Sequence, residues 1–224
     1  MRDSMYKAVL CDLDGTLLDS NHFHAEAWQR TFANFGFNIG FEDMVRQIGK
    51  GGDKVIATYV PEDRIAELED DLKNFRKDLF HREYMDRIVP FSDAKNLLKR
   101  MRQEGLRVSV ASSTNKEDLH AFLMLLRIHA LVEEHTTADD AEQSKPAPDI
   151  FQAALKKLGI QPEDAVAMGD TPWDIEAAGK AGVKTVALTC GGWTEQELKD
   201  AGAIAVYRDP ADLLRRFDSS PFAG

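Results

Sequence analysis

From residue 88 onward, short apolar runs alternate with helix-patterned stretches that close on glycine, and few architectures satisfy that alternation. Residues 107–111, 130–135, 165–168, 185–188 and 203–206 have the length and composition of buried strands. Residues 92–104, 116–127, 148–158, 172–181, 194–201 and 210–217 carry helical spacing, and Gly105, Gly159, Gly182 and Gly202 stand where helix C-caps belong. A further apolar run, residues 6–11, supplies a strand at the front of the chain. Strand, crossover helix and strand in repetition predict an α/β fold: a doubly wound, mainly parallel sheet with helices on both faces.

Residues 19–88 break the pattern. They are almost entirely helix-patterned and contain no convincing strand. Phe23, Ala27, Trp28, Phe32 and Phe35 stripe one helix that stops at Gly36, and Ile65, Leu68, Leu72, Phe75 and Leu79 stripe a second. Such stripes read as packing seams of a small bundle. The expected division is therefore a core of residues 1–18 and 89–224 with a helical insertion, residues 19–88.

Composition narrows the function. The 28 Lys and Arg against 38 Asp and Glu leave a net charge of -10, which disfavours nucleic acid and anionic membranes as partners. The apolar stretch 121–132 is interrupted by Arg127 and His129 and is too short to span a bilayer. Residues 1–4 run into the first strand with no secretory pattern, so the expectation is a soluble, cytoplasmic protein. Its two cysteines, Cys11 and Cys190, suggest neither a disulfide framework nor a zinc site.

The first apolar run ends in Asp12-Leu13-Asp14-Gly15-Thr16. Residues two apart on an extended segment point to the same side, so both carboxylates converge, and a divalent cation relieves their repulsion. The pairing fits a Mg²⁺ site facing an anionic substrate, while a plain Asp-Gly turn stays open. A calcium loop does not fit, because counting from Asp12 puts Thr16, Leu17 and Phe23 where it needs an acid or Asn, Gly and Glu. In open parallel sheets the ligand lies beyond the carboxyl ends of the strands. There the chain places Ser112, Ser113 and Thr114, then Lys145 beside Pro146, then Gly169, Asp170 and Asp174. Thr171, Pro172 and Asp174 also suit a capped helix start, and Thr114 with Glu117 suits another.

Together these elements resemble the haloacid dehalogenase superfamily of aspartate-nucleophile phosphohydrolases, in the branch whose helical cap follows the first strand. The resemblance covers nearly the whole chain. It rests on Asp12-Leu13-Asp14-Gly15-Thr16, Val108-Ser109-Val110-Ala111-Ser112, Lys145 with Pro146, and Gly169-Asp170 with Asp174. It implies a Rossmann-like catalytic core and a cap that sets substrate specificity. It also implies that Asp12 is the nucleophile forming an aspartyl-phosphate and that Asp14 is the general acid and base. By the same resemblance Mg²⁺ is held by the carboxylates of Asp12 and Asp170 and the backbone carbonyl of Asp14, Asp174 orients metal-bound water, and Ser112 and Lys145 bind the phosphoryl oxygens.

Relatives that cleave carbon–halogen or carbon–phosphorus bonds generally lack an acid at the position of Asp14, so its presence implies phosphate esters. The expected activity is a Mg²⁺-dependent phosphatase of a small phosphorylated metabolite, similar to phosphoglycolate phosphatases. The alternative is a sugar phosphomutase, since Asp19, His24 and Trp28 resemble a segment of β-phosphoglucomutases. Two non-enzymatic readings are a phospho-accepting signalling module and a scaffold. The first is short and lacks both a large insertion and an acid like Asp14; the second need not keep every polar group present here. Substrate choice falls to the cap, where Arg46 and Lys50 flank or enter the turn Gly49-Lys50-Gly51-Gly52. A monomer or weak homo-oligomer is expected.

Overall fold

The computed structural model describes residues 6–223; residues 1–5 and 224, and with them the N-terminal reading of residues 1–4, lie outside the described residues. Strand β1 (Ala8–Cys11) is central in a six-stranded sheet. It pairs in parallel with β4 (Arg107–Ala111) on one side and β6 (Ala165–Gly169) on the other. Beyond β4 lies β5 (Glu134–Thr136), and beyond β6 lie β7 (Lys184–Leu188) and β8 (Ala205–Tyr207), all parallel. The strand order β5-β4-β1-β6-β7-β8 reverses direction at β1, whose carboxyl end carries Asp12. Such a switch point opens a crevice for ligand.

Period-two alternation splits the sheet's side chains between two layers. Val9, Cys11, Val108, Val110, Val166 and Met168 enter one apolar cluster, packed under α5 (Ala94–Gln103), α6 (Lys116–Leu126) and α10 (Pro210–Arg215). Ala8, Leu10 and Ala167 enter the other, under α7 (Asp149–Leu158) and α8 (Pro172–Lys180), where Phe151, Leu155 and Ala178 meet them. Beside β8 stands α9 (Glu195–Asp200), whose buried Leu198 packs with Ile175 and Ala187. The mainly parallel, doubly wound core expected from the alternation is what the chain forms.

Between β1 and β4 the chain builds α1 (Asn21–Asn34), α2 (Phe41–Val45), α3 (Gly52–Tyr59) and α4 (Glu62–Glu83). Trp28, Phe32, Met44, Val55, Ile56, Leu68 and Leu72 form an apolar cluster of their own. Phe23, Ala27, Leu79 and Phe80 instead join the core cluster. The helical unit is thus tied to the core through the start of α1 and the end of α4. Two short strands, β2 (Leu18–Asp19) and β3 (Val89–Pro90), pair antiparallel where the chain leaves and re-enters the core.

Three local readings change. The run 130–135 is a strand only at its end, because Leu131 and Val132 donate their backbone N–H to the Ile128 carbonyl in a turn, and pairing begins when Glu133 N donates to Val108 O at 2.8 Å. β2 and β3 are two residues each, too short to leave a periodic trace. Helix α6 is capped by Asn115, whose side chain accepts from Asp118 N at 2.9 Å, and not by Thr114 with Glu117. No helix among the described residues is long and apolar enough to cross a membrane.

Candidate active site

At the end of β1 the chain turns sharply: Gly15 N donates to Leu18 O at 2.8 Å, and Leu17 N and Leu18 N both donate to Leu13 O. Gly15 has φ +76, and a Cβ there would collide with Asp170 and Asn21. The turn sends the two acids of the motif to different neighbours. Asp12 points down to the carboxyl edge of the sheet, and Asp14 points up to the helical unit.

The lower group is a buried cluster. Ligand-type oxygens of Asp12, Asp170 and Asp174 all lie within 4.8 Å of one another. Lys145, from the loop before α7, places Nζ 2.5 Å from Asp12 Oδ1, 2.7 Å from Asp174 Oδ1 and 3.3 Å from the Ala111 carbonyl. Asp170, at the end of β6, accepts from Thr16 Oγ1 at 2.7 Å and Asn21 Nδ2 at 2.8 Å. Asp174 closes a capping box at the start of α8: Thr171 N and Oγ1 donate to its Oδ2, and its own N–H donates to Thr171 Oγ1. That carboxylate therefore both caps a helix and stands in the cluster. Ser112, buried at the end of β4, accepts from Thr114 N at 3.2 Å and lines the cavity above Asp12.

One ammonium does not neutralise three buried carboxylates. Burial, and then the charges of Asp174 and Asp14, push Asp12 up to about 8 against the downward pull of Lys145. Burial and the charges of Asp174 and Asp12 likewise raise Asp170. Burial alone would lower the Lys145 ammonium, but Asp12 and Asp174 hold it above its ordinary value. Three carboxylates that repel one another inside a shell of hard oxygen donors fit a Mg²⁺ ion.

Asp14 belongs to a second group. Its Oδ1 accepts from Ser20 Oγ at 2.7 Å and lies 2.9 Å from His24 Nε2. On the far side of that imidazole, Arg76 Nη2 from α4 stands 2.5 Å from Nδ1. Arginine only donates, so Nδ1 accepts and Nε2 carries the proton given to Asp14. Burial works to raise Asp14, but the adjacent His24, the Ser20 hydroxyl and Arg76 together hold it below its ordinary value. The His24 ring stacks on Phe80 at 4.4 Å between centroids.

Between the two groups lies a cavity of about 130 Å³, bounded by Asp12, Asp14, Trp28, Lys50, Arg76 and Ser112 among others. A larger cavity of about 340 Å³ shares Gly51, Gly52 and Ser113 with it and is bounded by Asp53, Ser144 and Lys145, but reaches neither Asp12 nor Asp14. Lys50 faces the smaller one, with Nζ 2.7 Å from Gln47 Oε1 and 4.1 Å above the Trp173 ring. Arg46 does not line it. Its guanidinium lies 3.1 Å from Glu197 and 4.4 Å from the Trp193 ring centre, and its carbonyl accepts from Trp173 Nε1 at 3.3 Å. The sequence pairs Arg46 with Lys50 because both stand at the glycine turn 49–52; the chain turns between them and sends Arg46 to the seam with Glu197 and Trp193.

The sequence names Thr16 within its motif without a contact, and gives no place in the site to Ser20, Asn21 or Arg76. The first three are common turn and helix-start residues, and nothing local marks their contacts with Asp170 and Asp14. Arg76 did leave a trace: it stands at four-residue spacing with Leu68, Leu72 and Phe80, three buried residues, so a cation occupies a row of apolar ones.

Comparison with known proteins agrees with this geometry. The family described as haloacid dehalogenase-like hydrolase matches residues 9–188. A putative pyrophosphatase PpaX of Caldanaerobacter subterraneus is 31% identical over 183 residues, 81% of this chain and 80% of that protein. A phosphoglycolate phosphatase of Aquifex aeolicus is 28% identical, covering 95% of this chain and 97% of its own. Among solved structures, a hydrolase from Pseudomonas syringae superposes with a TM-score of 0.85 at 30% identity, covering 95% of this chain and 98% of that one. Sheet, motif order and these matches together establish that the chain belongs to the haloacid dehalogenase-like hydrolase family.

Proposed function

We propose that this protein is a Mg²⁺-dependent phosphatase of a small phosphorylated metabolite, acting through an aspartyl-phosphate on Asp12. The observation that carries the reading is the buried Lys145 ammonium, which joins Asp12 to Asp174 beside Asp170 at the switch point of the sheet. Asp12 and Asp170, with the backbone carbonyl of Asp14, would hold Mg²⁺, and Asp174 orients water beside them. When bound, the ion supplies positive charge to the phosphoryl oxygens and keeps the nearby carboxylates ionised.

In the first step an Asp12 carboxylate oxygen attacks phosphorus and the bond from phosphorus to the leaving oxygen breaks. Asp14 gives that oxygen a proton. It starts out ionised against His24, so it first takes up that proton, from water or from a monoprotonated phosphoryl group, as the arriving phosphoryl charge raises its proton affinity. In the second step water attacks the same phosphorus, its proton passes to Asp14, and Asp12 is released as carboxylate with free phosphate. Lys145 and Ser112 bind the phosphoryl oxygens as charge develops. The residues of α1 to α4, acting as a cap, exclude bulk water while the ester bond breaks. Lys50, on the cavity wall, meets the substrate beyond the phosphoryl group.

The cavity of about 130 Å³ supports a short substrate, since sites for drug-sized ligands run to roughly 300–1,000 Å³. The phosphoglycolate phosphatase and pyrophosphatase relatives point the same way. A phosphomutase reading draws on one observation, the contact of His24 with Asp14. The test is phosphate release from a panel of phosphorylated metabolites, including phosphoglycolate, pyrophosphate and hexose phosphates, with Mg²⁺ and with chelator. Release from a few short members, lost with chelator, is expected. Interconversion of sugar-phosphate isomers without release would select the mutase, and no turnover of either kind would leave a phospho-accepting module or scaffold.

A further inference from the structure

Arg76 is a cation in an apolar row. It lies on α4 in line with Leu68, Leu72 and Phe80, and its guanidinium is flanked by the rings of Phe80 at 4.7 Å and Trp28 at 5.5 Å. The charges on this molecule are extensively paired, yet among the described residues no carboxylate lies within ion-pair distance of Arg76. Its hydrogen bond goes to the neutral acceptor His24 Nδ1, and its buried Nε has no hydrogen-bond partner. Asp14 and Asp118 act on it only at longer range. Their pull upward does not offset burial, which lowers the guanidinium to about 10.

A half-buried cation with no carboxylate beside it and its Nε sealed from water without a partner is costly, and such a site suits an anion that arrives from outside. Arg76 lines the cavity that is also bounded by Asp12 and Asp14. Lys145 is already committed to two carboxylates, and Lys50 to Gln47 and the Trp173 face. Arg76 and Lys50 are then the cavity's two cations with no carboxylate at ion-pair distance among the described residues, and of the two only Arg76 has a buried donor, Nε, left without a partner. Its planar fork of donors suits a carboxylate or a second phosphoryl group.

We infer that Arg76 is a specificity-determining residue that receives an anionic group on the leaving side of the substrate, so that the substrates of this site are compact phosphoryl compounds bearing a second negative charge. This rests on the phosphatase reading for the placement of the phosphoryl group over Asp12. The aromatic walls of Trp28 and Phe80 raise the strength of such a pair by excluding water, and a neutral group of the same size leaves the guanidinium unmatched.

The test separates recognition from turnover. Phosphonoacetate and its neutral isostere phosphonoacetamide are titrated with Mg²⁺ present, by calorimetry, into the wild-type protein, Arg76→Met and Arg76→Lys. The expected result is on the order of 100-fold tighter binding of phosphonoacetate by the wild type. That preference should fall to within about threefold in Arg76→Met and stay near tenfold in Arg76→Lys. Met extends the row of Leu72 and Phe80, and circular dichroism checks that the fold is kept. Equal affinity for the two ligands, absence of phosphonoacetate binding, or a preference that survives in Arg76→Met would each overturn the inference and leave Arg76 as a support for His24. Phosphate release is measured in parallel. Preferential binding without release from any ester upholds the inference and refutes the phosphatase reading, whereas release with no preference does the reverse.

Discussion

Lys145 Nζ stands 2.5 Å from Asp12 Oδ1 and 133 residues from it in sequence, with only 1% of its side chain exposed. The same nitrogen is 2.7 Å from Asp174 Oδ1, so a single ammonium holds the ends of β1 and the start of α8 together. Lys145→Met removes, among the described residues, the one cation at ion-pair distance from the buried cluster, where it meets Asp12 and Asp174. Without metal the variant should lose about 3–5 kcal/mol in urea denaturation, the usual cost of stranding a buried charge, and Mg²⁺ should restore part of it. Unchanged stability would mean that the cluster is already neutral through protonation.

Asp12→Asn should lower phosphate release by a factor on the order of 10⁴ while the circular dichroism spectrum is kept. The amide retains the shape and an oxygen for Lys145 but is no nucleophile. Near-normal activity would refute the role assigned to Asp12.

The raised carboxyls make metal-free stability depend on pH. Asp12 titrates at about 8 when folded against an ordinary 3.8, and Asp170 is raised in the same direction, both because of burial first and neighbouring acids second. The folded state is then the stronger proton binder, so metal-free stability falls as pH rises from about 4 towards 8. The rise in Tm on adding Mg²⁺ should be larger at about pH 8 than at about pH 5. Asp170→Asn should raise the metal-free Tm at the higher pH by a few degrees and lose the Mg²⁺ increment, as read by differential scanning calorimetry.

Arg46 pins the turn before α3 to the core through Glu197 and the Trp193 face. Gly49, φ +99, lets that turn lie against Thr171, which a Cβ would strike. An exposed ion pair and one cation–π contact contribute about 1 kcal/mol together. Arg46→Met should therefore raise KM roughly fivefold with kcat nearly unchanged, and shift tryptophan emission as Trp193 is uncovered. A loss of kcat beyond roughly 100-fold would move Arg46 to the substrate contacts.

A surface pair gives an independent pH check far from the chemistry. Hydrogen bonds from Arg30 and Arg82 lower Glu83 from 4.5 to about 2. A depressed carboxyl stabilises the fold above its unfolded value, and that contribution disappears as pH falls from 4.5 through about 2. Glu83 is exposed, so Glu83→Gln should lower Tm by only a degree or two at about pH 7. By about pH 2 the two curves should coincide.

Much of the fold was legible because its information is local. Period-two runs, helical stripes and glycines at helix ends fix strand and helix within a few residues, and five of the six sheet strands fell close to their expected places. β5 was misplaced because Leu131 and Val132 are as apolar in a turn packed on the core as they would be in a strand. Most motif residues were legible for the same reason, since Asp12, Ser112 and Asp170 follow strand ends and Asp174 lies in the first turn of a helix, while Lys145 stands in the loop before α7.

The sequence by itself determined which elements form and which polar residues arrive at the carboxyl edge of the sheet. Only the tertiary structure decided how those charges pair. It turned Asp14 away from Asp12 to meet His24, set Lys145 between two distant acids, sent Arg46 to the seam with Trp193, and left Arg76 on the cavity wall with no carboxylate at ion-pair distance among the described residues. Backbone periodicity is a property of neighbours along the chain. Charge compensation depends on which buried faces meet in space and how far each side chain reaches, and no local pattern encodes that.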